Sequence, residues 1–468
     1  MRTQRWTLAV VCTATAMLML DIAVVNTALS KIADDLDTGL SGLQWVVDAY
    51  TLALAATVLT AGALADRFGR RKLFTIGLGL FTVTSVLCAA AGDIAFLNTA
   101  RAVQGVGGAV MFAVSLAILA DAFPEAKERA GALAAYGATI GASFAIGPAV
   151  GGALTSGLGW RWIFLVNVPL GLACIAITRL RVRESRDPLA RRVDVPGLLT
   201  LTGGLFLLVL ALLRGNEDGW GSTAIVAELA GAAGLLIAFL AIEARVREPM
   251  LPLGLFRNPS FTGAQVAAFA ISGSLFAVFL YATLYLQHVL GLSPIEAGLV
   301  YLPGTMVNFL VAGASSQLVE KISPRGMIGA GLALVAAGMA LMTVAQADSS
   351  WTVILPGFVI AMVGTGMFNP AVSNVALSSA PARQSGLAAG VNDTFRQAGI
   401  AVGVAALGAL IPSGAAFGDG SPIEYVNGMH DALFAGAGLA AVGAVASWLL
   451  IRSPQHGGAV GDLAAEAA

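Results

Sequence analysis

Asp21 stands alone in the apolar run MLMLDIAVVNTAL, residues 17–29. An acid at the centre of a membrane helix costs about 2.5–3.5 kcal/mol to insert, so it must face protein or a wet cavity. Desolvation favours the neutral form of a carboxyl group, which suits it to taking up and releasing protons. A proton or cation site is the functional reading; a polar contact satisfied by a neighbouring helix is the other. Arg101 is the complementary oddity, a guanidinium within the apolar run 97–120. At helical spacing it shares a stripe with Gln104, Gly105 and Gly108. It either partners a membrane acid, since a nearby cation favours the ionised form, or snorkels to the interface. Asp48 falls four residues into the run 44–64 and is read as hydrated or functional. Asp393, Arg396 and Gln397, spaced i, i+3, i+4, line one face. They form either a self-neutralising pair or a second polar patch. Asn26 is turned about 140° from Asp21 on a helix, so it is assigned to a neighbouring helix or backbone.

The elements that position these residues follow from composition. The chain has 468 residues, 57% hydrophobic and 11% charged, with a mean hydropathy of +0.83. A soluble protein carries about 25% charge. Lipid must therefore be the solvent, and 56 glycines suit close helix packing there. Runs of membrane-spanning length cover 7–29, 44–64, 73–91, 97–120, 130–155, 162–179, 196–213, 223–243, 261–287, 296–318, 326–345, 352–377, 386–411 and 429–451. The first run exceeds twenty residues and is not read as a signal peptide. It places Asp21 about eight residues, roughly 12 Å, from its outer end.

Fourteen spans put both termini on one side. With that side cytoplasmic, 21 of the 26 Lys and Arg fall in inner segments and three in outer ones, Lys31, Arg161 and Arg214. The inner set includes Arg191, Arg192, Lys321 and Arg383. That asymmetry fixes the orientation. The expected organisation is an N-terminal six-helix bundle (1–180), a basic loop with a two-helix insertion (181–250), a C-terminal six-helix bundle (251–452) and a short cytoplasmic tail (453–468). The loops GALADRFGRRK (62–72) and GASSQLVEKISPRG (313–326) occupy equivalent places in the two blocks. Parallel halves of this kind are a transporter design, with the substrate site between them near the midplane.

Other classes are set aside. None of the four lysines follows a glycine, so there is no phosphate-binding loop, and no G-x-S-x-G elbow occurs. The chain is read as a non-enzyme. His288, His430 and His456 are scattered, and Cys12, Cys88 and Cys174 lie in apolar spans, so neither a metal cluster nor a disulfide framework is expected. No long basic run suggests nucleic acid. In GASFAIGPAVGG (141–152), Pro148 can kink a helix, while Gly147 and Gly151 offer a small face for a neighbour; packing alone also explains them. Positive-inside charge explains the basic residues of 66–72 but not Asp66. Asp66, Arg70 and Asp121, at one level, are read as a cytoplasmic latch.

Together these segments resemble the major facilitator superfamily, and within it the fourteen-span drug/proton antiporter family (EmrB/QacA type). The resemblance rests on GALADRFGRRK, with Gly62, Asp66, Gly69, Arg70 and Arg71, on RAVQGVGGA (101–109) and on GPAVGG (147–152, including Gly152). LDIAVVNTAL (20–29) and WRWIFLVNVPLG (160–171) add to it. It implies an all-α integral membrane protein of the major facilitator fold, with two six-helix bundles plus a central two-helix hairpin. It implies alternating access in a bacterial inner membrane, a monomer, and exchange of protons for lipophilic or cationic drugs without a cofactor. By the same resemblance Asp21, Asp48, Arg101 and Asp393 are candidate coupling residues. Asp66, Arg70 and Asp121 become an inner gate docking on the start of span thirteen. Arg396 and Gln397 stand where relatives that expel dications carry acids, which argues against a strong dication preference. Gln104, Phe276, Phe279, Tyr281 and Phe309 are candidate cavity residues, with core packing the other reading of the rings. A dedicated exporter of one metabolite has the same motifs, and a non-transporting receptor of this fold is a further alternative.

Overall fold

A computed structural model describes residues 2–187, 193–318, 322–381, 384–412, 414–415 and 421–452. The expectations placed on Arg191, Arg192, Lys321, Arg383, His456 and the tail 453–468 lie outside the described residues. Among those described, fourteen long helices run in chain order. In the first half they are α1 (Arg2–Leu36), α2 (Leu40–Phe68), α3 (Arg70–Ala89), α4 (Ile94–Ala122), α5 (Ala126–Leu158) and α6 (Trp162–Arg181). The hairpin is α7 (Val195–Asp218) and α8 (Thr223–Glu243). The second half holds α9 (Pro259–Val289), α10 (Pro294–Ser316), α11 (Pro324–Met342), α12 (Leu355–Ser378), α13 (Ser385–Gly408) and α14 (Pro422–Leu450). All but α13 are long and apolar enough to cross a membrane. The 24-residue α13 carries Asp393 and Arg396 at its middle.

Local sequence sets the ends. Asp93 caps α4 by accepting from the Phe96 N–H, and Ser293 with Glu296 forms a capping box on α10. The α2–α3 turn passes through Gly69 at φ +113°, a region L-residues avoid. Outward-pointing Leu172, Phe434 and Leu449 suit lipid rather than water as their surroundings.

Three sets of contacts join the halves. Toward the faces away from the termini, Gln44 Nε2 donates to Tyr281 Oη at 2.8 Å, and Tyr281 Oη donates to the Val404 carbonyl. There too Gln287 Nε2 donates to the Thr27 carbonyl at 2.9 Å and Ile295 N–H to Ser156 Oγ at 3.1 Å. At mid-depth α5 crosses α10, where Thr305 Oγ1 donates to the Ala145 carbonyl at 2.7 Å. A methyl group on Gly152 would fall 2.7 Å from Ile295 Cα, so only glycine permits this approach. Deeper still, α2 meets α13 at Leu59–Gly390 and Ala55–Thr394. The hairpin touches both halves through α7: Trp45 of α2 packs on Phe206, and Asn216 donates to the Ala409 carbonyl at 2.6 Å.

Candidate functional site

Asp21, which is 1% exposed, is the acid of a buried ion pair. Arg101 Nη1 donates to its Oδ2 at 2.5 Å, and Gln104 Nε2 and Asn167 Nδ2 each donate to Oδ1 at 3.1 Å. Every partner is a donor, the arrangement an ionised carboxylate takes. Arg101 is satisfied in turn: Nε donates to the Val46 carbonyl at 3.1 Å and Nη1 to Gln104 Oε1 at 2.7 Å. Its guanidinium lies 4.2 Å from the Tyr50 ring centre and 5.7 Å from that of Phe164. Ser85 accepts from Gln104 at 2.9 Å. Side chains of α1, α2, α3, α4 and α6 thus close one cluster inside the first half.

The local sequence explains the convergence. Arg101 and Gln104 are three residues apart on α4 and so face one way. Gly108 leaves room for the Tyr50 ring, whose hydroxyl would be 2.9 Å from a methyl there. Asn167 sits just after a one-residue break in α6 at Val166, before Pro169. Reasoning from sequence passed over Asn167, Ser85 and Tyr50. The signal was present: Asn167 is a lone amide in an apolar span. The distance to the helix end also changes. Helix α1 continues seven residues beyond its apolar run, to Leu36, so Asp21 lies fifteen residues from that end, roughly 22 Å rather than 12. Ser30, Lys31, Asp34 and Asp35 ended the hydropathy signal without ending the helix.

Asp48 is not superficial. It lies eight residues into α2, is 0% exposed, and neither carboxyl oxygen has a partner. It sits on the α2 stripe between Gln44 and Ala55, the residues that reach α13. Asp393 and Arg396 make no direct ion pair. Arg396 Nη1 instead donates to Asn369 Oδ1 of α12 at 3.1 Å, while Asp393 Oδ2 and Gln397 Oε1 are left without partners. The structure therefore brings together Asp21, Arg101 and Gln104, and leaves Asp48 and Asp393 as separate acids.

Between the halves lies a cavity with about 40 Å³ of room for water centres, enough for a few waters in this state. Phe144 and Pro148 of α5, Phe276 and Phe279 of α9, Thr51 of α2 and Asn26 of α1 line it. Phe276 and Phe279 are where the sequence placed them, and Phe144 was missed. Phe144 meets Phe276 edge-on at 5.2 Å, and Phe279 stacks on Tyr301 at 4.3 Å. Asn26 bonds backbone as expected, and it also lines the cavity, which was not expected. Asp21 points into its own bundle, and Asn26 faces the cavity, its Nδ2 reaching only the Ile22 carbonyl at 3.4 Å. Tyr281 belongs to the tie with Gln44 and Val404. Phe309 packs where α5 passes at Gly141, and Arg396 and Gln397 do not line the cavity. Of the α5 motif, Gly151 lets α1 approach, since a methyl there would lie 2.7 Å from Val24 Cα. Gly147 meets Ala23, and Gly152 meets α10.

At the α2–α3 loop Asp66 and Arg70 pair at 2.9 Å. Asp121 does not join them; it is exposed and makes no bond. Its place is taken by the link after α6, which crosses the α2–α3 turn. The Arg71 N–H donates to Glu184 Oε1 at 2.9 Å, capping α3, and Arg71 Nε lies 3.7 Å from Oε2. The Arg70 N–H donates to the Ser185 carbonyl at 2.9 Å, and the Asp187 N–H to the Asp66 carbonyl at 3.0 Å. Nothing lies within 4 Å of a methyl placed on Gly62. The expected docking on the start of α13 falls partly on residues 382–383, outside the described set.

Comparison with known proteins places this geometry. The family model described as Major Facilitator Superfamily matches residues 11–404. The chain is 36% identical to "Puromycin resistance protein pur8" of Streptomyces alboniger over 96% of this chain and 91% of that one. It is 35% identical to "Multidrug resistance protein Stp" of Mycobacterium tuberculosis over 88% and 76%. Among solved structures it resembles a bacterial homolog of the human lysosomal transporter Spinster, inward-facing and unoccupied, with a TM-score of 0.66 at 18% identity over 96% and 97%. The chain belongs to the Major Facilitator Superfamily.

Two outcomes follow. Arg101→Met leaves a buried carboxylate uncompensated and lowers stability by about 3–5 kcal/mol. Asp21→Asn added to it recovers most of that loss. Denaturation of the purified chain in detergent measures both. Glu184→Ala changes global stability by no more than about 1 kcal/mol, because its pair with Arg71 is partly exposed. It nevertheless frees the strap, so trypsin cleaves at Arg183 and Arg186 several-fold faster than in the parent.

Proposed function

We propose that this chain is a secondary active efflux transporter that exchanges protons for lipophilic, drug-like compounds by alternating access. Relatives named for puromycin and multidrug resistance support export of toxic organic molecules. The observation that carries the coupling is the double duty of α1. One face holds Asp21 against Arg101; Ile22, Ala23 and Asn26 of the same turns line the cavity. A proton reaching Asp21 removes the charge that holds Arg101, and α1 is then released from α4 while it contacts substrate. Each charge moved through the membrane is worth about 2.3 kcal/mol per 100 mV, enough to drive accumulation against a gradient without ATP.

In this reading the bundles 1–180 and 251–452 rock about the cavity, with residues 181–250 as the hairpin between them. The transporter works as a monomer in a bacterial inner membrane, with both termini in the cytoplasm. Asp48 and Asp393 are further protonatable acids on the route, and Asp66, Arg70 and Glu184 hold the inner end. Phe144, Phe276 and Phe279 give non-directional apolar contact, and Asn26 supplies the amide beside them. A dedicated exporter is the second reading, favoured by relatives named for single antibiotics, such as the "Tetracenomycin C resistance and export protein" of Streptomyces glaucescens.

The test is efflux from an exporter-deficient host over a panel of unrelated toxic compounds, with and without a protonophore. The proposal expects lowered accumulation of several scaffolds, abolished by the protonophore. Response to one scaffold alone selects the dedicated exporter, and efflux that survives the protonophore contradicts proton coupling.

A further inference from the structure

The base of the α7–α8 hairpin holds two acids that the transport reading does not use. Asp194 precedes α7 and Glu243 ends α8; they are 6% and 3% exposed. Each has one satisfied oxygen. Asp194 Oδ1 accepts from the Gly197 N–H at 2.8 Å, and Glu243 Oε2 accepts from the Leu251 N–H at 2.9 Å. The other two, Asp194 Oδ2 and Glu243 Oε1, are buried and have no partner. They aim at the same space. A methyl built on Gly197 would lie 2.7 Å from Asp194 Oδ2 and 2.6 Å from Glu243 Oε1, so both oxygens converge over that glycine.

Among the described residues no cation pairs with either carboxyl; Arg191 and Arg192, just before Asp194, lie outside that set. Arg245, Arg247 and Glu248 on the link after α8, and Arg183 and Arg186 on the link before α7, are exposed and bond neither carboxyl. At the end of α2, Asp66 is paired with Arg70 and Arg67 stacks on Phe68. Two ionised carboxylates cannot share a buried space without a counter-charge. One proton removes the conflict, because a carboxylic acid donates to a carboxylate in a short charge-assisted bond.

We propose that Asp194 and Glu243 hold a single proton between them, making the hairpin base a proton-binding site separate from the Asp21 cluster. The site has a structural consequence. Glu243 fastens the Leu251 N–H, and Met250, Leu251 and Leu255 bury their side chains on the way to α9. While the proton is held, the hairpin is pinned to the link that enters the second half. When it is lost, the like charges repel and must take up water, and the joint loosens. Docking stability is therefore present at low pH and lost as pH rises. The proposal does not depend on which compound is transported, or on whether any is.

The experiment uses the purified full chain, its Glu243→Gln variant and its Asp194→Asn variant, each a neutral mimic that still offers an amide donor. Thermal unfolding is followed from mildly acidic to mildly alkaline pH, and infrared spectra record the carbonyl band of protonated carboxylic acids. The parent is expected to lose unfolding temperature as pH rises, and both variants to lose most of that slope. The acid carbonyl band assigned to the pair disappears in both. An unchanged slope and band in the two variants overturns the proposal. So does a parent whose stability at alkaline pH is restored by added sodium or magnesium ions while the variants ignore them, for then the oxygens hold a metal cation. If one variant does not fold, the other carries the same comparison.

Discussion

The structure turns on an ion pair that hydrocarbon would not tolerate in pieces. Asp21 and Arg101 are both almost fully buried, 2.5 Å apart. Neither charge has water to fall back on, so each exists only while the other is in place. That requirement dictates what surrounds them. Gln104 and Asn167 fill the second carboxylate oxygen, Tyr50 and Phe164 cover the guanidinium, and glycines on α4 let α2 come near enough to supply Tyr50. Five helices of the first half are thereby held at one point. An element held by a single charge balance is one that a single proton can release.

Helix α1 connects that point to the cavity. Asp21 looks into the bundle, and Ala23 and Asn26, next along the chain, look out of it. The halves meet through contacts of another kind, neutral and shape-dependent, such as Gln44–Tyr281–Val404 and the crossing of α5 on α10. Such contacts can break and re-form with little electrostatic cost, which suits surfaces that must separate. The hairpin lies against α2 and α13 at once through α7. It rides on the boundary rather than beside it, and its own buried acids sit at the joint with the second half.

Much of this was legible in the sequence because hydrocarbon is a strict solvent. Charge and apolar length alone placed the spans, and the rarity of Asp21 and Arg101 in those spans singled out both. What was not legible had identifiable causes. Helix α1 outran its hydropathy signal because helices can project beyond lipid, so the distance from Asp21 to the helix end was underestimated. Asn26 and Asp21 were correctly placed on different faces, but spacing gives relative angles only, so it did not say that the face of Asn26 is the one that meets the cavity. Glu184 and Asn167 are remote in sequence from the motifs they complete, and no periodicity links them. Asp121 lay at the right level but not in reach. Asp194 and Glu243, 49 positions apart, meet only because two helices fold back on each other.

The central claim, that Asp21 exchanges its hold on Arg101 for a proton, is tested most directly by Asp21→Asn in proteoliposomes. Asparagine mimics the protonated acid, so the variant should still exchange labelled substrate for unlabelled substrate across the membrane. It should fail to accumulate substrate against a gradient when a proton gradient is imposed. Retention of both activities at parental levels would contradict the account.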